Sequence, residues 1–143
     1  LPDLPLVYAR NTAALGGLQV DIVVPERGNL KLVTWAMWGQ IAQVLRHGCN
    51  VWLSADTPFD HSKLMVMDDY WVLFGSTNWD PRSLRLNFEF NVESFDRDLA
   101  RSMRELVDAR IRRARRLTLE EVEKRRLPIR LRDGAARLLT PYL

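Results

Sequence analysis

The chain has 143 residues, 47% of them hydrophobic and 27% charged, with a formal net charge of +3. That composition supplies a packed core for one domain and excludes a disordered or low-complexity chain. The single cysteine, Cys49, excludes an internal disulfide, and no run of 18 apolar residues suited to a membrane span occurs.

In chain order, Leu1-Pro2-Asp3 reads as the end of a loop, with Asp3 capping a helix to about Leu15 and Gly16-Gly17 stopping it. Residues 18–24 form a short apolar strand closed by Pro25. Leu32, Trp35, Ala36, Trp38, Ile41, Val44 and Leu45 recur with the helical period, and Gly48 ends that helix. A buried strand over 49–53 and a polar loop over 54–59 lead to a hairpin. Its strands cover 61–67 and 70–74, and Asp68-Asp69 makes the turn. A further strand spans 88–94. A long amphipathic helix over 96–116 follows, with Leu99, Met103, Leu106, Val107 and Ile111 on one stripe. Thr118-Leu-Glu-Glu is a capping box that opens another helix, and Asp133-Gly134 marks the last turn before a short closing helix. Strands alternating with helices predict the α/β class, built on a layered sheet.

The chemistry concentrates in the hairpin. His61 and Lys63 are two apart, so an extended strand aims both the same way, an imidazole beside a fixed positive charge. Ser76 and Asn78 repeat that spacing after Gly75. An imidazole, an ammonium, a hydroxyl and an amide aimed at one point suit a tetrahedral phosphate. The set holds no cysteine or carboxylate pair for a metal, which indicates phosphodiester chemistry with no metal and no other cofactor. Asp68 lies an odd number of positions from both His61 and Lys63. Strand geometry turns it to the other face, where it has an orienting role at the hairpin turn.

The full set, His-x-Lys-x4-Asp-x6-Gly-Ser-x-Asn, matches the phospholipase D superfamily signature. The continuation from Trp79-Asp80-Pro81-Arg82-Ser83 through Leu86-Asn87-Phe88-Glu89, with the Arg-rich end and the Leu-Leu-Thr-Pro-Tyr-Leu tail, resembles the bacterial cardiolipin synthase branch. That resemblance implies a phospholipase D-like layered fold, a mixed β-sheet flanked by helices, with residues 1–143 as the C-terminal catalytic half of a two-motif enzyme. It further implies that His61 is the nucleophile of a phosphohistidine intermediate. Lys63, Ser76 and Asn78 then bind phosphate, and Glu89 orients His61. The implied activity is a phosphatidyltransferase acting on anionic phospholipid, with an N-terminal motif-bearing half or a second copy as partner. The implied place is peripheral, on the cytoplasmic side of the bacterial inner membrane, with no nucleic acid as ligand. The alternatives are a homodimeric phospholipase D, phosphodiesterase or nuclease using one motif per chain, and a catalytically silent dimerisation or membrane-docking module.

Other conspicuous residues have plainer readings. His47 before Gly48 is read as a helix C-cap, Cys49 as a buried inert thiol, and Trp35 and Trp38 as core or interface. Arg82 with Ser83 either contacts a headgroup or pins its loop, and Glu89 has an ordinary strand carboxylate as its bland alternative. From 110 to 132 ten basic residues stand against three acidic ones, a net of +7. This stretch is either a solvated helical face or a surface attracted to anionic lipid.

Overall fold

The computed structural model describes residues 12, 16–26, 28, 30–55, 61–78, 80, 83–84 and 87–139. Its elements are β1 (Asp21–Pro25), α1 (Lys31–Arg46), β2 (Asn50–Ser54), β3 (Lys63–Met67), β4 (Trp71–Gly75), β5 (Asn91–Ser94), α2 (Arg97–Arg113), β6 (Arg115–Leu117), α3 (Leu119–Glu123) and α4 (Leu127–Leu138). The strands divide between two three-stranded sheets. One is mixed, in the order β1-β2-β6, with β1 parallel and β6 antiparallel to β2; the other is the antiparallel meander β3-β4-β5.

The first sheet follows from alternation. Val51 and Leu53 of β2 are 1% and 2% exposed, and with Ile22, Val24 and Leu117 they form the apolar face. Onto that face α1 packs Ile41 and Val44, and Cys49 and Val122 complete the core. Joining two parallel strands requires a crossover of about a dozen residues or more, which α1 supplies. Gly48, at φ +86°, reverses the chain after α1. The opposite face is polar. Asp21 of β1 accepts hydrogen bonds from Trp52 Nε1 (2.8 Å), Asn50 Nδ2 (3.0 Å) and Gln19 Nε2 (2.7 Å). Arg116 of β6 donates to Asn50 Oδ1 (2.6 Å), so polar side chains tie all three strands.

Against the meander lies α2, which also touches β2; Val72 of β4 and Ala100 of α2 are fully buried. Asp96 caps α2, accepting from the N–H groups of Asp98 and Leu99 at 2.8 and 2.9 Å.

Several expected boundaries differ from the structure. The helix expected over 96–116 stops at Arg113. Ala114 turns extended (ψ 154°), and the next three residues become an edge strand that buries Leu117 against β2. Three residues are too few to show alternation, so the sequence pattern carries no trace of β6. The strand expected from 88 is confined to Asn91–Ser94, and that expected from 18 begins at Asp21. Asp133-Gly134 is not a turn, because α4 runs straight through it. Asp133 is 1% exposed and paired with Arg125 and Arg132, each at 2.7 Å. Those two guanidinium groups stack on Trp38 and Trp35, each 4.3 Å from the ring centroid. A Cβ on Gly39 would sit 2.5 Å from the Asp133 carbonyl oxygen, so α1 and α4 meet backbone to backbone there. The Thr118–Glu121 capping box is present, although α3 is only five residues long. The helix expected from Asp3 lies outside the described residues apart from Thr12. At its end the Gly16 N–H reaches the Thr12 carbonyl at 2.9 Å, and Gly17 takes φ +88°.

Partial burial pushes the Asp21 carboxyl up, but the Trp52, Gln19 and Asn50 donors and the Arg116 charge outweigh it and hold it below the ordinary aspartate range. A depressed folded-state pKa contributes stability that is present at neutral pH and lost as pH falls through that value. Asp21→Asn is therefore expected to cost about 1 kcal/mol at neutral pH, solvent screening included, and progressively less as the pH is brought down through the acid range. Urea denaturation of parent and variant at neutral and acid pH checks this; an equal gap at the two contradicts it.

Candidate active site

The β3–β4 hairpin builds the site. Its register pairs Lys63 with Gly75 and Met67 with Trp71, so the start of β3 lies opposite the end of β4. Asp68 and Asp69 both take φ +50°, and the Tyr70 N–H reaches the Met67 carbonyl at 3.1 Å. Two central residues with positive φ are the pattern of a type I′ turn, whose twist suits a hairpin, and Asp tolerates that region better than most side chains. The turn folds the motif so that Lys63 lies opposite Gly75, the residue that leads into Ser76, Thr77 and Asn78. Asp68 stands at the far end of β3, roughly 16 Å along the strand from Lys63. Its neighbour Asp69 pairs with Arg104 of α2 and fastens the tip.

His61 is exposed and stands just ahead of β3, not within the strand as expected, because β3 begins at Lys63. Lys63 is half-buried, and its Nζ folds back to donate to the His61 carbonyl. The ammonium and the histidine thus remain neighbours despite the shorter strand. Between the hairpin and α2 runs a cleft of about 270 Å³, with Ser62, Lys63 and Arg110 among its polar members and Leu64, Phe74 and Leu106 among its apolar ones.

After β4, burial alternates as the spacing requires: Ser76 exposed, Thr77 4% exposed, Asn78 exposed. Ser76 and Asn78 face outward on the same side. Gly75 has no room for a side chain, since a Cβ would overlap the Phe90 carbonyl and stand 2.7 Å from Asn91 Cα. That close approach allows Ser76 and Phe90 to pair twice: the Ser76 N–H donates to the Phe90 carbonyl (2.9 Å), and the Phe90 N–H donates to Ser76 Oγ (3.0 Å). The Ser76 hydroxyl gives its proton to Glu89 Oε2 at 2.6 Å, and Asn87 Nδ2 donates to Glu89 Oε1 at 3.3 Å. Glu89 is therefore joined to the motif through Ser76. Phe88 and Phe90 on either side of it are 108% and 73% exposed, an apolar pair projecting beside the site.

Sequence reasoning overlooked Asn87 and Asp80. The visible signal was the two-residue spacing of Asn87 and Glu89, which places both on one face of extended chain. Ser83 pins its loop: it is 5% exposed, and its N–H and Oγ bond to Asp80 at 2.8 and 3.3 Å. Arg82 lies outside the described residues. His47 occupies the C-cap of α1, its Nδ1 donating to the Gln43 carbonyl at 2.6 Å, away from the hairpin. Among the described residues no three His, Cys, Asp or Glu side chains cluster as a metal site, and no helix is long and apolar enough to cross a membrane.

Residues 1–111 match the family described as the cardiolipin synthase, phospholipase D-like domain. The chain belongs to this family. It is 37% identical to cardiolipin synthase 2 of Staphylococcus epidermidis over 143 residues, which is 100% of this chain and 29% of that protein. It is 35% identical to the major cardiolipin synthase ClsA of Bacillus subtilis, covering 100% of this chain and 30% of the relative. The chain thus spans about three tenths of the length of these relatives. Two solved structures share the fold. Nuc of Salmonella typhimurium, a phospholipase D family member, superposes with TM-score 0.71 at 24% identity, over 82% of this chain and 76% of its own. Phosphatidylserine synthase of Haemophilus influenzae gives 0.73 at 19% identity, over 99% of this chain and 39% of its own. The α/β class expected from the residues and the phospholipase D-like fold implied by the resemblance are the ones observed.

The close approach at Gly75 has a direct consequence. Gly75→Ala is expected to push β4 from β5 and cost about 1–3 kcal/mol, with loss of the Ser76–Phe90 pairing. Thermal denaturation checks the stability, and amide hydrogen exchange at Phe90 checks the pairing. Parent-like values for both would contradict the packing.

Proposed function

We propose that this chain is a catalytic unit of a cardiolipin synthase-type phosphatidyltransferase, with an anionic phospholipid as donor and the glycerol hydroxyl of another lipid as acceptor. The observation that supports the reading is the hairpin register, which sets Lys63 opposite Gly75 and next to Ser76, with the His61 carbonyl bonded to Lys63 and Glu89 bonded to Ser76. The neutral His61 ring attacks the phosphodiester phosphorus. An N–P bond forms, the bond to the leaving glycerol oxygen breaks, and that oxygen takes a proton from an acid. The acceptor hydroxyl then attacks phosphorus, loses its proton, and releases His61. Lys63 and Asn78 offset the charge on the phosphoryl oxygens. Losing one such preorganised donor costs roughly 10²–10³ in rate. Glu89 fixes the tautomer of His61 and steadies the imidazolium. Asp68 acts through the hairpin turn and not on the substrate.

The acid completes the picture. A leaving alkoxide needs a proton donor with a pKa near neutrality, and histidine suits that best. Of the two histidines, His47 is committed to the end of α1. The acid therefore comes from a second motif, in an N-terminal half of a longer protein or in a second copy of this chain. Residues 1–143 act as one such half. The exposed Phe88 and Phe90 beside Glu89 suit contact with that partner or with a lipid surface, and the excess of arginine toward the C-terminus suits a peripheral position on an anionic membrane face.

The test is His61→Asn in an assembly carrying two motifs. His61 is exposed, so the variant should fold with stability within about 0.5 kcal/mol of the parent. Rapid quenching with labelled phospholipid should trap phosphohistidine at His61 in the parent and none at position 61 in the variant, with turnover lost. Labelled phosphohistidine in the variant at the parent level would remove His61 from the nucleophile's role.

A further inference from the structure

Five polar side chains, Ser76, Asp80, Ser83, Asn87 and Glu89, form a single connected line that starts at the motif. Asp80 accepts the Ser83 N–H at Oδ1 (2.8 Å) and the Ser83 hydroxyl at Oδ2 (3.3 Å). The Asn87 amide donates to Ser83 Oγ (3.3 Å) and to Glu89 Oε1 (3.3 Å), and Ser76 donates to Glu89 Oε2 (2.6 Å). Every bond donates toward a carboxylate at one end or the other. The middle of such a line needs a group that donates two hydrogens, and the amide of Asn87 supplies them.

The geometry points to Asn87, braced by Ser83 and Asp80, as the positioning residue that fixes the plane of the Glu89 carboxylate. The inference rests on the reading above, in which Glu89 orients His61. Glu89 precedes β5, so no strand ladder holds its backbone in line. A carboxylate gripped by Ser76 alone pivots about that one bond. A second donor on the other oxygen removes the pivot, and each oxygen keeps a lone pair for the imidazole N–H. Ser83, 5% exposed, gives Asn87 a rigid backing, so Asp80, Ser83 and Asn87 become a brace for catalysis. Ser76 belongs to the same brace: its one proton is engaged by Glu89, and its oxygen takes the Phe90 N–H.

The test compares Asn87→Asp, Asn87→Ala and Glu89→Gln in the active two-motif assembly. Asn87→Asp keeps the shape, removes both donors and sets a negative charge beside Glu89. Partners that orient a catalytic group typically contribute 10–100-fold, so kcat is expected to fall by about tenfold or more, with KM little changed. The acid limb of the rate–pH profile should move to higher pH, because an added negative charge favours the protonated state of the site. Asn87→Ala should lower kcat with a smaller move of the limb, and Asn87→Ser, which keeps one donor, should lie between Ala and the parent. Because the charge of Asn87→Asp acts on the limb by itself, the uncharged Asn87→Ala separates the readings: a structural role alone would lower its thermal stability and leave its kcat and pH limb at the parent values. If Glu89→Gln impairs turnover while Asn87→Asp and Asn87→Ala keep the parent kcat and pH profile, the positioning role is overturned and the role of Glu89 stands. If Glu89→Gln itself keeps the parent rate and profile, the reading of Glu89 fails and the inference falls with it. Should Asn87→Asp fail to fold, Asn87→Ser decides, and a parent-like kcat and pH profile there overturns the proposal.

Discussion

The antiparallel register of β3 on β4, with Lys63 opposite Gly75, is the constraint on which the site depends. The two ends of the motif are separated by a turn and two strands, and only this pairing returns Gly75-Ser76 to the side of Lys63. A slip of one residue would send Lys63 to the opposite face and exchange the buried Val72 for its half-buried neighbours. One device holds this register, and a second holds β5 beside β4. At the tip, Asp68 and Asp69 accept the positive φ that a tight hairpin turn demands, and Asp69 is fastened to Arg104 of α2. At the open end, Gly75 admits the Phe90 backbone where any side chain would exclude it. The Asp of the motif is thus read most simply as a residue of the turn, acting on the chemistry through the shape of the hairpin.

The rest of the fold is a frame for that hairpin. The first sheet and α1 form the main core, and α2 bridges from it to the meander. The Arg-rich stretch helps to close this frame. Arg125 and Arg132 stack on Trp38 and Trp35 while sharing the buried Asp133, and Arg116 lies over Trp52. Part of the local charge therefore serves internal packing, where a guanidinium offers both a flat face to an aromatic ring and a fork to a carboxylate. Neither a freely solvated face nor a lipid-attracting one describes these particular arginines.

Much of this was legible in the residues. The α/β class, the hairpin and its turn, the Thr118 capping box and the C-cap role of His47 follow from local rules that tertiary contacts did not override. The outward pairing of Ser76 and Asn78 about a buried Thr77 follows from strand alternation alone. What escaped was decided by long-range contacts. The edge strand β6 exists because Leu117 completes the core on β2, and three residues carry no periodicity to announce it. Asp133-Gly134 has the composition of a turn, yet Arg125 and Arg132 neutralise the aspartate inside a helix. The involvement of Asn87 and Asp80 depends on how Ser83, Asn87 and Glu89 meet one another and Ser76, which spacing along the chain does not specify.

The central claim is a covalent, two-step transfer through His61, and the stereochemical course at phosphorus tests it most directly. A donor phospholipid made chiral at phosphorus by isotopic oxygen or sulfur would be converted by an assembly with two motifs, and the configuration of the product read by phosphorus NMR. Two successive in-line displacements, on and off His61, predict retention. Inversion would mean a single direct displacement by the acceptor, with no phosphohistidine on the path, and would contradict the account.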